Sequence, residues 1–153
     1  VVDAENETFD ISLQDPPERF RRAQVMLDFW GRDDEWGDDE FTDPGAEYFE
    51  VALSPDQLTH TTSRTYRWGG ELRAEYRITF RLLVNNTIDV QIDGKLYEGT
   101  SEDTGDLDGL GSTNLQVPVN QTQAATLSIT NTEEDDPDEG RLAISVRNIR
   151  SDA

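Results

Sequence analysis

Between Leu72 and Val84 every even position is apolar (Leu72, Ala74, Tyr76, Ile78, Phe80, Leu82, Val84), and the odd positions are charged or polar except Leu83. A period of two sustained over this length fits an extended strand with one buried face, because a helix would scatter the same residues around its circumference. After Asn85 and Asn86 the alternation resumes, with Ile88, Val90 and Ile92 inward and Asp89, Gln91 and Asp93 outward, so residues 71–94 are predicted to form a long hairpin. A two-residue turn would pair even with odd positions and set the two apolar sets on opposite faces. The loop must therefore hold an odd number of residues or a bulge, and residues 85–87 are predicted as a three-residue loop.

The same period recurs elsewhere. Phe9, Ile11 and Leu13 alternate in residues 8–14, a strand near a free terminus that could close its own sheet or add to a neighbour's. Asp15 and the prolines that follow break it, and Asp15 is suited to cap a short helical turn. Ala23, Val25, Leu27 and Phe29 alternate next; helical spacing through Phe20, Ala23, Leu27 and Trp30 competes, but the strand-rich surroundings favour a strand. Residues 31–45 read as a charged loop, and residues 48–53 as a short strand ended by a one-turn helical cap at Ser54, Pro55 and Asp56. Residues 59–63 are polar, residues 64–68 are a candidate strand, and Gly69-Gly70 turns the chain into the hairpin. Residues 99–112 are rich in Gly and Asp and predict no element. Leu115, Val117 and Val119 alternate around Pro118, which suggests an edge or a bulge. Residues 126–130 and 142–149 form a last pair of strands, joined by a solvated acidic loop at 133–140. The expectation is an all-β, antiparallel β-sandwich of eight or nine strands, immunoglobulin-like or jelly-roll, with at most short helical turns. It is expected as one domain over residues 1–153, with residues 1–14 as a strand-exchanging segment.

The 153 residues carry a formal charge of -20 from 33 acidic side chains against only 13 basic ones, of which Lys95 is the single lysine. Such a field disfavours nucleic acid and anionic membranes as partners, and no apolar run reaches the ~18 residues of a membrane helix. Cysteine is absent, so disulfides, thiol nucleophiles and thiolate metal sites are excluded. Since the chain begins at Val1, trimming of a longer product is expected.

Abundant acid with scarce lysine resembles the composition of proteins from extremely halophilic archaea, and the resemblance extends over the whole chain. It implies an environment in which concentrated salt screens self-repulsion, the Debye length being about 3 Å near 1 M. The plainer alternative is an acidic, calcium-requiring secreted protein from a GC-rich genome, with Arg replacing Lys for coding reasons. Three N-x-Ser/Thr sequons, at Asn6, Asn85 and Asn120 among seven asparagines, point to a glycosylated surface protein.

Chemistry is thinly signalled. Asp103, Asp106 and Asp108 before Gly109 carry part of a calcium-loop pattern and are the candidate metal ligands, with Ca²⁺ the only cofactor suggested. An EF-hand would begin at Thr104 and end at Leu115 instead of Glu, so that motif fails and a solvated loop is the plainer reading. Asp33, Asp34, Glu35, Asp38 and Asp39 are dense without ligand spacing. His60 is the sole histidine, in a threonine-rich connection, and no serine elbow, zinc-helix or phosphate-loop motif is present. No catalytic residue is assigned, and a non-enzyme is expected.

Trp30, Trp36 and Trp68 could stack on sugars, although core or interface packing is commoner. Trp36 stands amid charges and is the best candidate for burial in a partner. Arg73, Arg77 and Arg81 share the outward face of the central strand, where the local balance opposes that of the whole chain; pairing with Asp89 and Asp93 or docking on an acidic loop of another copy are the two uses.

The sequence thus points to a structural subunit of an extracellular assembly, a cell-surface filament, with copies of itself or sister subunits as partners. Its interface would use Trp36, the arginine ladder and Phe9, Ile11 and Leu13. A virion protein of a haloarchaeal virus and a calcium-dependent carbohydrate-binding or adhesion module are the alternatives. The charge reading has a direct check: circular dichroism should show strand signal lost below about 0.5 M salt. Retained folding in dilute, calcium-free buffer would contradict it.

Overall fold

A computed structural model of the chain describes residues 19–34, 37–131 and 137–151. These form nine strands and no helix: β1 Arg21–Asp33, β2 Glu40–Thr42, β3 Ala46–Leu53, β4 Thr59–Trp68, β5 Leu72–Leu82, β6 Ile88–Glu98, β7 Leu107–Val117, β8 Thr122–Thr130 and β9 Glu139–Arg150. They make two antiparallel sheets. The first runs β2-β1-β9-β8, with β3 pairing the same edge of β1 as β2 but nearer its start; the second is the meander β4-β5-β6-β7. The sheets pack face to face as a β-sandwich, and the predicted strands at 8–14 and the cap at Asp15 lie outside the described residues.

Alternation explains which side of each strand is buried. Ala23, Val25, Leu27 and Phe29 of β1 and Leu72, Ala74, Tyr76, Ile78, Phe80 and Leu82 of β5 all enter one core, together with Ile88, Val90 and Ile92 of β6. The core is shaped by a mismatch in side-chain size. Phe29 stacks on Tyr66 with centroids 4.1 Å apart and 1° between planes, and Trp68 and Tyr76 flank it at 5.3 and 6.0 Å. Room for these rings comes from Gly31 and Gly140, which face each other across β1 and β9. A Cβ on Gly31 would lie 2.8 Å from the Trp68 ring, and one on Gly140 3.3 Å from the Tyr76 hydroxyl.

The central hairpin keeps the expected parity but shifts by one residue. Leu82 pairs with Ile88. The Leu83 N–H donates to the Thr87 carbonyl (2.9 Å) and the Asn86 N–H to the Leu83 carbonyl (3.0 Å), so the loop is residues 84–86 instead of 85–87. Asn86 decides this: its φ of 67° is the left-handed conformation that the third loop position of such hairpins requires, which Asn tolerates and β-branched Thr87 does not. Val84, expected inward, is consequently 87% exposed.

Four further expectations need correction. Residues 99–112 are not structureless throughout, since β7 begins at Leu107; its glycines let β8 approach, a Cβ on Gly109 or Gly111 meeting Thr130 O at 2.7 Å or Leu127 Cδ1 at 3.0 Å. Residues 31–45 are not wholly loop, because β1 continues to Asp33 and pairs with β2. Ser54 to Gln57 is a turn closed by a strand-type bridge, with no helical cap. The 133–140 loop is not solvated at its end: Asp138 is 1% exposed and β9 starts at Glu139.

The glycine windows predict that Gly31→Ala destabilises by about 1–3 kcal/mol through overpacking. Gly140→Ala should cost clearly less, because its nearest contacts are looser. Thermal unfolding in concentrated salt measures both, and equal melting temperatures for Gly31→Ala and the parent would contradict the packing account.

Candidate interaction surfaces

The outer face of the second sheet follows from its register. Thr59, Thr61, Ser63, Thr65 and Arg67 of β4 lie beside Arg81, Thr79, Arg77, Glu75 and Arg73 of β5, which lie beside Asp89, Gln91, Asp93, Lys95 and Tyr97 of β6. Five cations therefore meet three carboxylates on these three strands, the reverse of the balance in the chain.

The arginine ladder is not uniform. Arg73 is 9% exposed: its guanidinium stacks on Tyr97 at 4.3 Å, pairs with Glu75 at 3.3 Å and donates to the Glu102 carbonyl at 2.8 Å. Arg81 lies opposite Asp89, 3.8 Å away, one of the two carboxylates expected for the ladder. Arg77 sits opposite Asp93, but one Asp93 oxygen accepts from both Ser112 and Gln91, and these hydrogen bonds, with a smaller pull from the Arg77 charge, hold its pKa below the usual carboxylate range. Lys95 sits opposite Glu75, which turns to Arg73. Arg77 and Lys95 are thus exposed cations with no ion pair within 4 Å among the described residues. They line a shallow groove of about 470 Å³ with Ser63, Thr65 and Leu110.

At one end of the sandwich two carboxyls converge. The Asn131 amide donates to Glu98 (2.6 Å) and to Asp138 (3.0 Å), and the Asp138 carboxylate also accepts the Asp34 N–H at 2.7 Å. Burial, reinforced by a hydrogen bond and repulsion from Asp138 and by Asp108 nearby, pushes Glu98 up to about 7. No spacing rule joins residues 98, 131 and 138, so no local pattern marks this cluster in the sequence. The other end is held by Asn148, whose amide donates to the Asn86 and Val117 carbonyls (2.9 Å each) while its oxygen accepts from Arg21 (2.8 Å).

Asp103 meets Arg67 at 3.7 Å, and Asp106 and Asp108 are exposed; among the described residues no group of three acidic or histidine side chains is placed to hold a metal ion. Trp68 is in the core, whereas Trp30 lies on the outer face of the first sheet against Phe41, under Arg141. His60 is exposed on β4. Asn85 and Asn120 are both exposed in turns at the Asn148 end, and Arg21 donates to the Asn120 oxygen at 3.1 Å. Trp36, Phe9, Ile11, Leu13 and Asn6 lie outside the described residues.

No known protein family and no curated protein matches the sequence. Among solved structures the chain is similar to the Salmonella type III secretion injectisome secretin InvG in its open gate state, with 11% identity and a TM-score of 0.30. The match covers 100% of this chain and 66% of that one.

The Glu98 pair predicts a pH dependence with a definite sign. Its folded pKa, about 7, lies above the ordinary 4.5, so the folded protein holds a proton that the unfolded chain releases earlier. This contribution is complete below pH 4.5 and is lost as pH rises through 7. Glu98→Gln should remain more stable than the parent at pH 8 by about 1 kcal/mol, after allowance for solvent screening, and match it near pH 4. Urea titrations of both at the two pH values check it; a gap independent of pH would refute the shared proton.

Proposed function

We propose that this domain is a non-enzymatic building block of an extracellular assembly, a cell-surface filament of a halophilic archaeon. The observation that carries the reading is a sheet face with surplus cations on a chain of charge -20, where Arg77 and Lys95 make no ion pair within 4 Å among the described residues. An acidic neighbour would complete such a face.

Free strand edges supply a second means of association. Among the described residues β3 and β4 each hydrogen-bond to a strand on one side only, over eight and ten residues. Their unpaired backbone groups are templates for another strand, and Phe9, Ile11 and Leu13 give residues 1–14 the pattern of a donor. The sequons at Asn85 and Asn120 and the absence of cysteine accord with an exposed glycoprotein held together without disulfides.

Electron microscopy and sedimentation in concentrated salt test the proposal, and fibres are expected. Closed shells would favour the virion alternative, and a monomer that turns over a small molecule would reject the structural role. Normal fibres after deletion of residues 1–14 would reject strand donation alone.

A further inference from the structure

The groove on the second sheet has a definite chemical demand. Two of its cations, Arg77 on β5 and Lys95 on β6, make no ion pair within 4 Å among the described residues: Asp93 opposite Arg77 bonds Ser112 and Gln91, and Glu75 opposite Lys95 turns to Arg73, so both carboxylates lie in the groove without closing on either cation. Leu110, directly opposite Lys95 on β7, adds an apolar side chain that is 69% exposed. A fitting partner presents carboxylates on either side of one apolar group.

The chain carries such a segment. Residues 38–43, Asp-Asp-Glu-Phe-Thr-Asp, surround β2, and Asp38, Asp39, Glu40 and Asp43 make no ion pair among the described residues. Phe41 stands between them, 59% exposed with one side against Trp30. This segment belongs to the first sheet, through pairing of Glu40–Thr42 with the end of β1, whereas the groove is on the outer side of the second. The two lie on different sheets, so the contact is drawn between two molecules and not within one.

We propose that the acidic β2 tip of one copy docks in the basic groove of a second copy, with Phe41 against Leu110 and the flanking carboxylates on Arg77 and Lys95. The inference rests on the building-block reading and deepens it by naming the contact. Tip and groove are different surfaces, so the contact is head-to-tail and a docked pair keeps one tip and one groove free; it propagates as a chain unless the rotation closes a ring. Short ion pairs at a partly dry contact outlast the screening that removes longer-range attraction in brine.

The test uses charge exchange in the full chain, in concentrated salt. A groove variant carries Arg77→Glu and Lys95→Glu; a tip variant carries Asp38→Lys, Glu40→Lys and Asp43→Lys. Each should sediment as a monomer alone, with an unchanged melting profile as the folding control, and equimolar mixing should restore assembly. Because the chain has no cysteine, Phe41→Cys with Leu110→Cys in one molecule should also give an oxidation ladder of covalent multimers. Assembly of the groove variant at the parental level, or no ladder from an assembled double-cysteine chain, overturns the docking while leaving the building-block reading intact. A parent that stays monomeric overturns both, and if it then binds an acidic polysaccharide such as heparin through Arg77 and Lys95, the groove serves that ligand instead.

Discussion

The packing of four aromatic rings against bare glycine backbone is the constraint from which the rest of the sandwich follows. Phe29, Tyr66, Trp68 and Tyr76 come from three strands and both sheets, and rings of that size would hold two sheets further apart than the roughly 10 Å of a normal sandwich if they faced ordinary side chains. Gly31 and Gly140 remove the opposing side chains at one cross-strand pair. Gly94 on β6 repeats the device from the other side, its missing Cβ leaving space for Ile129 and the edge of Tyr76. With apolar residues at only 34% of the chain, a few large rings in close contact supply burial that a more aliphatic core would spread over many positions. Burial also pushes the Tyr76 phenol well above its usual range, so the ring is neutral at any physiological pH.

Around that core the charges are distributed by strand position. The open side between β3 and β4 is closed by Arg64, which holds Glu47 through paired hydrogen bonds of 2.9 and 2.7 Å and covers the face of Phe49 at 4.9 Å. The bond to Arg64 keeps the Glu47 pKa below the usual range. Both groups stay partly solvated, so their worth is the exclusion of water from Phe49 and Tyr66 more than the net energy of the pair. Glu98 and Asp138 show the opposite case: two acids share one site, and repulsion is relieved by retaining a proton instead of by recruiting a cation.

How much of this was legible depended on whether the deciding neighbour was local. The faces of β1, β3, β5, β6, β8 and β9 were readable because alternation is a property of each strand alone. The hairpin loop was readable to within one residue, and the information that places it was present: Asn86 suits the left-handed third position and Thr87 does not. In contrast, β7 was read only at its end, from Leu115 and Val117, and its first half was hidden because Gly109 and Gly111 face Ile129 and Leu127 of another strand. Asp138 was hidden because nothing local distinguishes it from the acids before it; its burial depends on Asn131 and the backbone of Asp34. For the candidate interface the outward direction of Arg73, Arg77 and Arg81 was legible, but their inequality was not. Tyr97 and Glu102 bury Arg73, while Ser112 and Gln91 take the carboxylate opposite Arg77, and these neighbours come from other strands and turns.

The two ends of the sandwich differ in a way that bears on assembly. Asn85 and Asn120 occupy turns at the end where Arg21 and Asn148 tie together β1, β9 and the two turns. The β2 tip, the Gly69-Gly70 turn and the Glu98–Asp138 pair lie at the other end, where β1 finishes and β9 begins. Bulky sugars on both asparagines would therefore crowd one end and leave the acidic tip unobstructed. The groove at Arg77 and Lys95 lies on the sheet face between them, Arg77 four residues along β5 from Arg81 and Lys95 ten residues along β6 and its turn from Asn85. A head-to-tail contact made at that groove is compatible with glycans at the Asn148 end, whereas a contact through the Asn85 and Asn120 turns would not be.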